Sequence, residues 1–136
     1  MTIEPVLSGP PAIQVHVAAA MLALILGPIQ LILPKGTIRH RFMGWTFVFA
    51  MIVICISAFF ILDHPVPPRL GPFSWLHLLA VFTLVMIWRG IRAIRRGDVA
   101  IHRQTMIGLV LGALFFPAFF AFAVPGRIMH QVLFGH

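Results

Sequence analysis

Long apolar runs alternate with short polar breaks along this chain. Four runs, at 13–33, 43–62, 74–94 and 106–124, are predominantly aliphatic and aromatic, and each matches the roughly 20 residues a helix needs to cross the hydrocarbon core of a bilayer. Polar residues collect in the breaks: KGTIRHRFMG after the first run, DHPVPPRLGP after the second and RGDVAIHRQTM after the third. In lipid every backbone amide must find its partner inside the protein, so runs of this length are expected as helices. The pattern predicts an all-α integral membrane protein, a four-helix bundle forming a single transmembrane domain over 1–136.

Two of the breaks are copies of one another. Lys35-Gly36 precedes His40-Arg41, and Arg96-Gly97 precedes His102-Arg103. Each copy follows a run that carries a histidine near its start, His16 in one case and His77 in the other; His16 and His77 are 61 residues apart, and His40 and His102 are 62 apart. The chain therefore reads as two similar helical hairpins. Within them, Gly27-Pro28 is expected to loosen the first helix, Ser74 to cap the third, and Gly108 and Gly112 to offer a small-residue packing face in the fourth.

Composition sharpens this picture. The chain is 60% hydrophobic and only 10% charged over 136 residues, which excludes an ordinary soluble globule. Its net charge of +7 does not point to nucleic acid, because the cations sit in short breaks between apolar helices, where charge sets topology. Lys35, Arg39 and Arg41 occupy one basic break, and Arg89, Arg92, Arg95, Arg96 and Arg103 lie in or beside the other, against Arg69 and Arg127 alone on the opposite side. The positive-inside rule then places both basic breaks in the cytoplasm and both termini outside, periplasmic or extracellular. The first 12 residues contain no basic residue, so the first run is expected to be retained as a span and not removed as a signal peptide. The single cysteine, Cys55, lies mid-run and is expected to be buried and unreactive.

This topology sorts the histidines into two layers: His16 and His77 just inside the outer ends of their runs, His40 and His102 at the inner ends. Helices related by a twofold axis along the membrane normal stand diagonally in a four-helix bundle. Diagonal inward imidazoles can take the two faces of a flat macrocycle. The layers would lie on the order of 20 to 30 Å apart at 1.5 Å per residue, room for one or two b-type haems. Arg41 and Arg103 are placed to meet haem propionates at the inner layer, with Lys35 or Arg39 beside them, and Arg69 and Arg127 at the outer one.

Plainer roles compete at each position. His40 and His102 also suit lipid headgroups at an interface, whereas His16 and His77 are set into apolar helix and need a partner there. His64, His130 and His136 are expected to be solvated loop or tail residues. A zinc or copper site is weaker, with no carboxylate or thiolate near either layer except Asp63 beside His64. Gln30 and Thr83 suit helix-to-helix hydrogen bonds or quinone contacts.

KGTIRHRFMG and IHRQTM together resemble a bacterial family of small four-helix membrane proteins of unknown function, marked by KGTxxHRxxG and IHRxxM. The resemblance runs from His16 to about Arg127 and implies a multi-pass protein of the bacterial inner membrane. More distantly, four histidines on four helices are similar to the di-haem cytochromes b and ferric-reductase-like membrane domains. That similarity implies haem ligation by His16 with His77 and by His40 with His102. The chain departs from those domains in its short intervals between histidines and in showing no ascorbate or flavin site. The expected function is transmembrane electron transfer, with quinone or a larger redox complex as partner. The alternative is a non-enzymatic accessory subunit packed on a respiratory or photosynthetic complex. A transporter or channel ranks last, since the spans hold no central acidic residue.

Overall fold

A computed structural model describes residues 2–61, 69–70, 73–123, 125 and 127–135. His64, Asp63 and His136 lie outside the described residues, as does the side chain of Arg69. Four spans are present: α2 (Pro11–Ile32), α3 (Ile38–Ala58), α4 (Trp75–Arg95), and a fourth made of α5 (Val99–Gly108), a π-helical segment π1 (Leu109–Phe115) and α6 (Phe116–Ala123). Short helices α1 (Glu4–Leu7) and α7 (Ile128–Phe134) flank them. The one sheet among the described residues is a two-residue antiparallel pair before α4, Arg69–Leu70 with Phe73–Ser74. In backbone terms Ser74 is therefore a strand partner of Arg69 at the entry to α4.

The helices close into a ring: α2 packs on α3, α3 on α4, α4 on α5 and π1, and π1 returns to α2. This order sets α2 diagonal to α4 and α3 diagonal to α5, the relation expected of two repeated hairpins. The duplicated breaks share their local chemistry. Gly36 and Gly97 adopt φ of 79° and 80°, the left-handed conformation that glycine alone takes without a Cβ penalty. The next residue caps the following helix in both copies: Thr37 accepts from the His40 amide at 3.1 Å and Asp98 from the Ile101 amide at 3.1 Å. These caps start α3 and α5 several residues before the apolar runs begin. The two His-Arg pairs consequently stand in first helical turns instead of in loops.

Lipid and core divide the apolar residues. Phe49, Leu78, Phe82, Trp45 and Trp88 are all more than half exposed, an outward apolar coat that belongs against acyl chains. Arg92 lies over the Trp88 ring, 4.9 Å from its centroid, where stacking holds a cation near the end of a span. Inside, Ala23, Phe47, Met51, Ile87, Leu109 and Val110 form a buried cluster. Gly27 is where α2 meets it: a Cβ there would sit 3.3 Å from Val110 Cγ1 and 3.4 Å from Phe47 Cε2. Helix α2 runs unbroken through Pro28.

One expectation about the fourth span is overturned. Gly108 and Gly112 are exposed, with open space where a Cβ would be. The small-residue face looks away from the bundle, and Gly90 of α4 makes the close approach instead, a Cβ there meeting Met106 Cε and, at 3.2 Å, Thr105 Cγ2 of α5. The span is also not uniformly α-helical. Pro117 has no amide hydrogen and its ring crowds the carbonyl four residues back; the turn before it widens, with the Phe116 amide donating to Leu111 O.

Candidate functional site

The end of the bundle nearest both chain termini, the outer end in the topology expected from charge, holds a cavity of about 330 Å³, within the range of small-molecule and cofactor sites. His16 from α2 and His77 from α4 both line it, with Met51 and Cys55 of α3, Leu114 and Phe120 of the fourth span, and Arg127 at the start of α7. Diagonal packing brings the two imidazoles, 61 residues apart in sequence, onto one wall system. Its remaining lining is almost entirely apolar.

His16 is held by α3. Its Nδ1 lies 3.1 Å from Ile54 O and 2.9 Å from Ser57 Oγ, while the Ser57 hydroxyl donates to Ile54 O at 3.0 Å. Both groups facing Nδ1 are then acceptors, so Nδ1 carries the proton and Nε2 keeps its lone pair. Metal-binding histidines are usually oriented this way, one ring nitrogen donating to a carbonyl and the other free to ligate. His77 is only 7% exposed and packs its ring against Phe59, centroids 5.7 Å apart.

The inner histidines are used differently. In each hairpin the inner histidine reaches back across the turn to the helix before it. Gln30 Nε2 donates to His40 O at 2.9 Å and to His40 Nδ1 at 3.3 Å, and Lys35 Nζ donates to Gln30 O. Gly44 makes room for that amide, since a Cβ there would stand 3.0 Å from Gln30 Nε2. His102 Nδ1 donates to Gly90 O at 2.8 Å. With its Nδ1 lone pair taken by Gln30, neutral His40 carries its proton on Nε2 and offers iron no free nitrogen. Arg41 and Arg103 are exposed and stand on the first turns of α3 and α5. Of the quinone-contact candidates, Gln30 bridges to His40, and Thr83 donates to Leu79 O at 2.7 Å while lining the outer cavity.

The start of α7 lines the cavity and the N-terminal segment packs on α7, a feature the hydropathy pattern does not contain. The Thr2 amide donates to Val132 O at 2.9 Å, tying the N-terminal segment to α7, and α7 contacts α6. His130, expected as a solvated tail residue, is half-buried: its Nδ1 donates to Phe122 O at 2.9 Å and its ring stacks near Phe134, 4.5 Å away. It satisfies a carbonyl left over at the C-terminus of α6. The one sequence clue was the histidine itself, five residues beyond Pro125. Cys55 is buried, as expected. Among the described residues no group of three or more His, Cys, Asp or Glu side chains comes together; the arrangement present is a pair of imidazoles on an apolar cavity.

No curated protein and no solved structure matches this sequence. A family model does, over residues 13–132, from the first turn of α2 through nearly all of α7. The chain, with its four apolar helices and its two histidine-bearing turns, belongs to the family described as "Predicted membrane protein (DUF2306)".

Proposed function

We propose that this protein is a transmembrane b-type haem electron carrier, with one haem held between His16 and His77. The observation that carries the reading is the sharing of one apolar cavity by two imidazoles from diagonal helices. The ligation-ready tautomer of His16 supports it. When bound, the haem supplies the redox chemistry. The chain's own residues do the rest: His16 and His77 fix the ring, Leu114 and Phe120 exclude water, and Ile54 and Ser57 hold the His16 ring in place. The inner pair, His40 and His102, secures the two turns. One haem, not two, is the expected content. Both termini lie on the outer face of the bacterial inner membrane, and the electron partner is quinone or a larger membrane redox complex.

The test is the absorption spectrum of the detergent-purified chain from haem-replete cells. A Soret band that shifts on dithionite reduction is expected. A colourless protein would contradict the proposal and favour an accessory subunit. For that second reading the supporting observation is the structural use of His40 and His102, and co-purification with a larger respiratory or photosynthetic complex is its expected sign.

A further inference from the structure

Arg127 is the one cation on the wall of the outer cavity among the described residues. It precedes α7 in extended conformation (φ −84°, ψ 150°) and is half-buried. No ion pair to Arg127 is present among the described residues; of the two acids described, Asp98 caps α5 and Glu4 stands in α1, which packs on α7 without pairing to Arg127. Burial lowers the pKa of its guanidinium from the ordinary value, the sign of a cation that has lost water without gaining an anion. A guanidinium is costly to leave in this state and binds carboxylate strongly once one is supplied.

We infer that Arg127 is the anchor for a carboxylate on the ligand of this cavity, so that the site takes a flat apolar body with an anionic edge turned toward α7. The inference rests on the haem reading, in which that edge is the propionate side of the ring. It also gives the association of the chain ends a purpose. Because α7 is tied to the N-terminal segment through Thr2 and Val132, a carboxylate held by Arg127 fastens both to the occupied cavity.

The test compares haemin with haemin dimethyl ester, which has the same ring and iron but no carboxylate charge, titrated into full-length apo-protein and followed by the Soret shift. The wild type is expected to bind haemin about tenfold more tightly than the ester, equivalent to about 1.4 kcal/mol. Arg127→Gln should erase the preference while binding the ester as the wild type does, and Arg127→Lys should keep part of it. Equal binding of both rings by the wild type, or a preference that survives Arg127→Gln, overturns the anchor and leaves the haem reading standing. If Arg127→Gln binds neither ring, Arg127→Lys decides, a lost preference overturning the anchor. Failure of the wild type to bind either ring overturns the haem reading and the anchor together.

Discussion

At the scale of single residues, the histidines separate by what their Nδ1 atoms touch. His16 donates to a carbonyl and a hydroxyl through Nδ1, leaving the lone pair on Nε2, whereas His40 receives a hydrogen from Gln30. Sequence spacing put His16 and His77 on diagonal helices, where they line one cavity, but contained no information about tautomers, which depend on contacts between α2 and α3. The glycines separate in the same manner. Gly90→Leu should destabilise the bundle by about 1–3 kcal/mol, because the added side chain meets Met106 and Thr105 across the α4–α5 contact. Gly112→Leu, opening onto free space, should stay within about 0.5 kcal/mol of the wild type. Thermal unfolding in detergent checks both, and equal losses at the two positions would show that the α4–α5 contact is not the tight one.

At the scale of elements, hydropathy located all four spans and the repeat located both turns, because length of apolar run and glycine-plus-cap chemistry are written locally. Which face of each helix turns inward was not legible. In a membrane helix the lipid side is as apolar as the core side, so periodicity carries little signal. This is why Gly108 and Gly112 looked like an interface and Gly90 did not. The widened turn over Leu109–Phe115 was foreshadowed only by Pro117. Helices α1 and α7 are too short for periodicity to reveal, and their association is a contact between the two ends of the chain.

At the scale of the whole molecule, one cavity lined by His16 and His77 stands at a single end of the bundle, where the duplication alone suggested two equal layers. The orientation proposed from charge can be read by labelling. Cys55 is 3% exposed and should stay silent toward a membrane-impermeant maleimide. Ile38→Cys and Val99→Cys, at exposed positions beside the basic turns, should label only from the cytoplasmic side, and Ile3→Cys only from outside; the reverse pattern would invert the topology.

In the proposed function His16 and His77 hold one ligand together while His40 and His102 do not. Haem content per chain, measured on four purified single variants, tests it most directly. His16→Ala and His77→Ala should each lose nearly all the haem, and His40→Ala and His102→Ala should keep close to the wild-type amount, about one per chain. Haem retained in the first two, or lost from the last two by variants that still fold, would contradict it.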